Sequence, residues 1–205
     1  MVLRVLLLSA LLTLVPVAVG VTVAGDRTPD DPGPVAYRGT DLADFDSSTA
    51  VVQRGAFCDL IPDEAVDEAL DGGEGDLTAY DNGTDSDAVP GGDVAHEYGC
   101  RFAADGVEAR AWVFAPPVST KRAKALVKAS NAKGCRAQPE APAYGKPSVA
   151  LICSAGDRRE VSYRGLFGDA WLTCTIATPA GVEESDQVDR AGRWCVAAAQ
   201  AAAAG

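Results

Sequence analysis

Three strand-like runs near the C-terminus constrain the fold of this chain more than any other feature. Two dipeptides, Gly156-Asp157 and Gly168-Asp169, separate the runs. A dipeptide that begins with glycine suits a tight hairpin turn, so the pattern predicts an antiparallel meander of three strands. The runs cover residues 149–155, 159–167 and 170–178.

The second hairpin of this meander has a self-consistent register. A two-residue turn at Gly168-Asp169 places eight mostly apolar residues on one face, which we expect to be the core. The expected pairs are Phe167–Ala170, Gly165–Leu172, Tyr163–Cys174 and Val161–Ile176. A slip of one residue would turn this whole set to the opposite face. The first hairpin leaves two alternatives: a two-residue turn puts Cys153 on the face opposite Cys174, and a three-residue turn puts both on the same face.

Two further strands and three helices are predicted upstream and downstream of the meander. Residues 107–115 alternate, with alanines and valines on one face and Glu108, Arg110, Trp112 and Phe114 on the other. The other elements are a short strand at 96–102, a short helix that begins at Pro62, a helix from Ser119 or Thr120 to about Lys133, and a final helix at 184–203. The chain therefore predicts an α+β domain, with a mainly antiparallel sheet of four or five strands packed by two or three helices.

The final helix carries an apolar stripe that includes Cys195. Two i,i+4 pairs, Asp186–Arg190 and Asp189–Arg193, have the order that stabilises a helix. Because Cys195 points to the core and Cys174 lies on the core face of the meander, the two cysteines predict a disulfide between helix and sheet.

The chain has six cysteines and one histidine. An even number of cysteines in an exported chain predicts three disulfides, chosen from 15 possible pairings. Pairing Cys58 with Cys100 would pin the ends of the stretch between them and leave Cys135 for Cys153. No two cysteines form a Cys-x-x-Cys pair, so zinc and thioredoxin-like sites are not predicted.

The N-terminus predicts export. Residues 5–25 contain no charged side chain over 21 positions, and a helix needs about 20 apolar residues to cross a bilayer. Arg4 before this stretch and Asp26 after it predict that the following chain lies outside the membrane. Residues 1–25 are thus a retained transmembrane anchor, which their length favours, or a signal peptide cleaved near Val23-Ala24-Gly25, which would release a secreted protein. No cysteine lies near its end for lipid attachment.

Two acidic stretches are predicted to be irregular. Residues 26–53 form a proline-containing acidic linker that spaces a domain at 54–205 from the membrane. Residues 71–93 are rich in glycine and aspartate and predict a long loop. The net charge is −11, and residues 26–100 hold 19 acidic and 3 basic residues. Nucleic acid is therefore not an expected partner.

The composition, heavy in alanine, glycine, aspartate and valine with more arginine than lysine, is typical of high-GC bacteria. Two motifs, Phe57-Cys58-Asp59-Leu60-Ile61-Pro62 and Tyr98-Gly99-Cys100-Arg101-Phe102, resemble a family of small exported actinobacterial proteins of unknown function. That family has a Cys-x-Leu-(Leu/Ile)-(Thr/Pro) opening and a later Cys-x-aromatic strand. Many members are lipoproteins, whereas this chain lacks the lipidated cysteine. The resemblance supports a Cys58–Cys100 disulfide and assigns no catalytic residue.

No catalytic motif is present. The chain has no Gly-x-Ser-x-Gly elbow, and its one histidine, His96, lies at the start of the predicted strand that contains Cys100. No two acids stand out as a catalytic pair. Calcium is the cofactor that the sequence leaves open, because Asp81, Asp85 and Asp87 offer hard oxygen ligands at spaced positions. The segment departs from the EF-hand pattern, and a flexible polar loop is the alternative.

The aromatic residues Trp112, Phe114 and Trp171 lie on the face opposite the predicted core. They are either covered by a helix or exposed as a surface that binds a ligand or partner. The sequence thus favours a non-enzymatic module that binds an envelope component or small ligand. The alternatives are a cell-envelope hydrolase that uses unidentified carboxylates and an accessory subunit of another membrane protein.

Overall fold

The computed structural model of the protein describes residues 38–73, 75–89, 94–130 and 133–205. The expected anchor or signal peptide at 1–25 and the first part of the expected linker lie outside these residues. Within the described ranges, no helix combines the length and apolar character needed to cross a bilayer.

The protein is an α+β domain built on one antiparallel sheet of seven strands, in the order β1-β2-β3-β7-β6-β5-β4. The strands are β1 (Asp76–Tyr80), β2 (Glu97–Ala104), β3 (Val107–Phe114), β4 (Cys135–Ala137), β5 (Ser148–Ala155), β6 (Arg158–Phe167) and β7 (Ala170–Pro179). The count exceeds the four or five expected because β1 lies within the predicted loop at 71–93 and β4 has only three residues.

The predicted meander is confirmed as β5, β6 and β7. In the second hairpin Phe167 pairs with Ala170 and Tyr163 with Cys174, as the turn predicted. The first hairpin has the two-residue turn, since Ala155 pairs with Arg158. Cys153 therefore lies on the face opposite Cys174, which decides between the two alternatives that the sequence left open.

The described residues form three α-helices, α1 (Asp63–Ala69), α2 (Thr120–Ala129) and α3 (Glu184–Ala204). Helices α2 and α3 pack on the sheet, and α1 packs against α3. Helix α3 covers the face that holds Cys174, called here the inner face, and its alanines at 191, 198 and 199 are fully buried. Small side chains let the helix approach the sheet closely. Helix α2 begins as predicted, with the Ser119 hydroxyl accepting a bond from the Arg122 backbone N–H at 3.2 Å, but it ends before Lys133.

The two predicted i,i+4 pairs on α3 are wrong. Arg190 pairs instead with Asp71 at 3.3 Å, and Arg193 pairs with Glu68 at 2.5 Å and with Asp41 at 3.2 Å. These partners come from other elements because α3 packs beside α1 and the N-terminal segment. The charges on α3 therefore join it to distant parts of the chain.

The second part of the expected linker is packed on the domain. Leu42 and Val52 are buried, and the backbone N–H of Gln53 donates to the Ala202 carbonyl at 2.8 Å. The backbone N–H of Gly39 donates to Glu68 at 3.0 Å. The packed chain thus extends at least to Gly39, ahead of the boundary at 54 that composition predicted. The acidic composition predicted a solvated linker, but the few apolar residues of the segment pack against the domain.

The structure contains all three expected disulfides, Cys58–Cys100, Cys135–Cys153 and Cys174–Cys195. Cys174–Cys195 joins β7 to α3 within the core, and Cys135–Cys153 joins directly opposed residues of β4 and β5. Three disulfides indicate that the chain matures in an oxidising compartment.

Candidate functional site

The outer face of the sheet, opposite α3, is divided into an apolar end and a polar centre. At the apolar end, α2 packs on Trp171 and Leu166 through Ala123. The centre consists of outward-facing residues of β3, β7 and β6. We call these residues the polar patch: Arg110, Thr173, Thr175, Glu160, Ser162 and Arg164.

Strand register brings the polar patch together from distant parts of the sequence. Arg110 on β3 pairs with Thr175 on β7, and Thr175 pairs with Ser162 on β6. One row along, Trp112 pairs with Thr173, and Thr173 pairs with Arg164. Five residues of the patch thus lie in two adjacent rows across three strands, with short hydroxyl side chains between the two arginines. Glu160 lies one row further, in the row of Glu108.

Arg110 forms one border of the patch. Its Nη2 donates to the Ala88 carbonyl at 2.6 Å, and its guanidinium carbon lies 5.2 Å from the centroid of the Trp112 ring. Its Nε lies 4.0 Å from the Glu108 carboxylate, beyond hydrogen-bonding distance. Stacking on Trp112 and the bond to Ala88 hold the guanidinium in place while leaving the Nε–H donor unpaired.

Arg164 and Glu160 are the charged residues of β6 in the patch. Neither side chain makes a hydrogen bond or an ion pair within 4.0 Å with any described residue. Burial raises the pKa of the Glu160 carboxyl, and the positive charges of Arg164 and Arg110 oppose that rise. Burial lowers the pKa of the Arg164 guanidinium, and Glu160 opposes the change. The patch therefore keeps two charged groups close to each other and largely out of water without a direct contact.

Ser162 lies at the floor of the patch and is 0% exposed. Three buried side-chain polar atoms of the described residues lack a hydrogen-bond partner, and all three belong to the patch: Arg110 Nε, Ser162 Oγ and Arg164 Nε. Buried polar groups in folded proteins nearly always have a partner. Their concentration in two adjacent rows marks the patch as the candidate site.

A second acid with a raised pKa lies elsewhere on the outer face. Burial raises the pKa of the Glu97 carboxyl, and a hydrogen bond from Tyr80 opposes the rise; the Tyr80 hydroxyl donates to Glu97 at 2.8 Å. Glu97 is opposite Phe114, whereas Glu160 lies in the row of Glu108. Those rows are about 20 Å apart along the strands, so the two acids do not form a catalytic pair.

Two clefts on the α3 side have volumes of about 280 and 330 Å³. The first lies between α3 and the segment around Leu42, and the second lies between α3 and Asp71. Their charged groups include Arg190 and Arg193, which already pair with acids. These clefts therefore present fewer unpaired donors than the polar patch.

The predicted site residues are separated in the structure. Trp171 is 2% exposed and lies with Phe114 against α2, which is the covered alternative, so Trp171 is not a binding surface. Trp112 is half-buried at the border of the polar patch. The sequence could not show which tryptophan is covered, because that depends on where α2 crosses the sheet.

The calcium candidates are not gathered into a metal site. No group of three or more metal-ligating side chains occurs among the described residues. Asp81 uses its backbone carbonyl to accept a bond from the Thr84 hydroxyl at 2.6 Å, and Asp85 forms a backbone bridge with Val94. Asp81 and Asp85 thus belong to a segment whose backbone groups bond to one another. Asp87 lies in the next turn, in which the Val89 N–H donates to the Ser86 carbonyl at 3.0 Å.

No protein-family model matches the chain. A comparison with curated proteins also finds no match. The resemblance of the Cys58 and Cys100 motifs to exported actinobacterial proteins therefore stays a prediction, and the functional argument depends on the geometry of the site.

Proposed function

We propose that the protein is a non-enzymatic module outside the cytoplasmic membrane, and that its polar patch binds a component of the cell envelope. The observation that carries this proposal is the set of three unpartnered buried polar atoms in the patch. A native fold has few such atoms, and each carries a desolvation cost. A ligand that bonds to all three would recover that cost.

The location follows from two supporting features. The three disulfides favour an oxidising compartment, and the apolar stretch at 5–25 has the length of a membrane span. We propose that this stretch anchors the domain as a single-pass protein, with release after cleavage as the alternative. Either form would place the polar patch among envelope components.

Binding is favoured over hydrolysis because the patch contains one acid with two arginines. A glycosidase uses two carboxyl groups separated by roughly 5–10 Å, and the acids with raised pKa are Glu160 and Glu97, which lie far apart. The raised pKa of Glu160 nevertheless suits a general acid, so an envelope hydrolase that uses Glu160 is the second candidate.

One experiment separates the two candidates. The purified protein is incubated with isolated envelope material, retention is measured by co-sedimentation, and released fragments are measured by mass spectrometry. A binding module should be retained without releasing fragments, and Glu160→Gln should be retained at least as well. Arg122→Gln serves as a matched control because Arg122 is an exposed arginine on α2.

Fragment release that Glu160→Gln abolishes would instead establish the hydrolase. If the wild-type protein is not retained and co-purifies with one membrane protein, the accessory role replaces the binding proposal. Far-UV circular dichroism of each variant checks that the fold is intact.

A further inference from the structure

The chemistry of the ligand can be inferred from the same patch, so this inference rests on the proposed function. We propose that Arg110 and Arg164 together bind an oxyanion, the carboxylate or phosphate group of an envelope molecule, above the hydroxyl groups of Ser162, Thr173 and Thr175.

The spacing of the two arginines suits a small group held between them. Strand β7 separates β3 from β6, which places their backbones about 10 Å apart. The Arg110 guanidinium stacks on Trp112, in the row that also contains Thr173 and Arg164. Arg164 lies beside Thr173, and Arg110 lies beside Thr175 one row along. Only the short side chains of these two threonines separate the arginines across β7.

The available donors match the oxygen atoms of an oxyanion. Arg164 makes no hydrogen bond with any described residue, and Arg110 uses Nη2 for the Ala88 carbonyl while its Nε–H is unpaired. The planar guanidinium of Arg164 can donate two parallel bonds to a carboxylate or phosphate, and Arg110 can add one bond from its Nε–H. The hydroxyl of Ser162 is also unpaired and adds a further donor.

The charge of the surrounding groups also favours an anion. Glu108 pairs with Arg101 at 2.6 Å and lies 4.0 Å from Arg110. The charges that act on Glu160 are those of Arg110, Arg158, Arg164 and Glu108, so arginines outnumber carboxylates around the patch. A local excess of positive charge is notable in a chain with a net charge of −11. Arg164 is partly buried and is attracted by Glu160 without contacting it. A bound oxyanion would supply the direct partner that its guanidinium lacks among the described residues.

The direct test observes the arginine side chains. The Nε–H signals of ¹⁵N-labelled full-length protein are followed by NMR during titration with inorganic phosphate or with glucuronate, at constant ionic strength. The signals of Arg110 and Arg164 should move and saturate, and the signal of Arg122 should not move. The tighter of the two probes identifies the source of the oxyanion as a phosphorylated or a carboxylated envelope molecule.

Substitutions measure the contribution of each group. Arg164→Gln should weaken binding of the better probe by at least about tenfold, because hydrogen bonds to charged groups are lost. Arg164→Lys should recover part of the affinity, since it keeps the charge but loses the planar pair of donors. Arg122→Gln should leave the affinity unchanged. Equal weakening by Arg122→Gln and Arg164→Gln would indicate general charge attraction and overturn the proposal.

The test separates failure of this inference from failure of the proposed function. If neither probe moves the Arg110 and Arg164 signals while envelope retention persists, the oxyanion site is wrong and the binding function stands. If retention is absent but a probe saturates both signals, the oxyanion site stands and the envelope ligand is wrong. Because the titration uses wild-type protein, a variant that fails to fold does not affect this result.

Discussion

The two faces of the sheet differ in whether their buried polar side chains have hydrogen-bond partners. On the inner face, the fully buried Gln187 of α3 accepts from Arg159 at 2.7 Å and donates to the carbonyls of Arg159 and Ile176 at 2.8 and 3.0 Å. On the outer face, the equally buried Ser162 has no partner among the described residues. The inner face thus gives its buried polar side chain hydrogen-bond partners, whereas the outer face leaves Ser162 with an energetic cost that the proposed ligand would offset.

The largest expected difference between the faces is in their tryptophans. Trp194 on α3 is buried, contacts Phe102 edge to face at 5.7 Å and donates to the Arg110 carbonyl at 3.0 Å. Trp194→Ala should lower the free energy of unfolding by about 3–5 kcal/mol. Trp112→Ala on the outer face should lower it by about 1 kcal/mol. Urea unfolding of both variants checks this, and equal losses would contradict the division between the faces.

The disulfides provide the next comparison. Cys174–Cys195 and Cys135–Cys153 span similar sequence separations of 21 and 18 residues, so chain entropy predicts a similar loss of about 3 kcal/mol for each. Replacing Cys174 and Cys195 by alanine should cost more, because both are fully buried and the change leaves a cavity. Thermal unfolding of the two double variants measures the difference. A larger loss for the Cys135 and Cys153 variant would show that β4 matters more than its burial indicates.

Polar substitutions compare the two faces directly. Gln187→Met should lower the free energy of unfolding by about 1–3 kcal/mol, because it removes three buried side-chain hydrogen bonds and leaves Nε of Arg159 without its acceptor. Ser162→Ala should change it by less than about 0.5 kcal/mol, since no hydrogen bond with a described residue is lost. Guanidinium unfolding tests both variants. A loss of more than about 1 kcal/mol for Ser162→Ala would reveal a structural partner and weaken the case for the site.

The smallest expected effect is the pH dependence of Glu160. Its pKa is raised, mainly by burial, so the folded state favours the protonated form. The contribution of Glu160 to stability is therefore greatest below its unfolded pKa of about 4.3. This contribution is lost as the pH rises through the folded pKa. Glu160→Gln should thus gain stability relative to the wild type across this range and keep a constant advantage above it. Thermal unfolding from pH 3 to 8 measures this difference, and a constant difference at every pH would contradict it.

The same residue predicts how oxyanion binding depends on pH. The charged groups that face Glu160 are Arg158 and Arg164 on β6, and Arg110 and Glu108 on β3. The arginines keep their charge across this range, so protonation of Glu160 makes the patch more positive. Binding of glucuronate should tighten as the pH falls through the Glu160 pKa, and Glu160→Gln should remove that step. Phosphate is not used for this measurement, because it changes its own charge at a pKa of about 6. The pH is kept above the pKa of the glucuronate carboxyl, because protonation of the probe would remove the charge that binds.

Local patterns predicted the parts of the fold that depend on neighbouring residues. The glycine-first dipeptides and the alternation of apolar residues established the meander and its register, because a strand repeats every two residues and the turn sets the pairing. The face of Cys174 and the stripe of α3 predicted their disulfide for the same reason. The strand β1 was missed because its residues 76–80 lie in an acidic, glycine-rich context and only β2 supplies its partner.

The sequence by itself determined an antiparallel meander, a final amphipathic helix and the faces that Cys174 and Cys195 occupy. Periodicity and turn chemistry act over a few residues, so these features can be predicted from the sequence. Only the tertiary structure decided that β3 pairs with β7 and that α2 covers Trp171 but not the centre of the outer face. Arg110 lies far from Ser162 and Arg164 in sequence, and the sheet order brings them together. The candidate site arises from that long-range pairing, which no local pattern encodes.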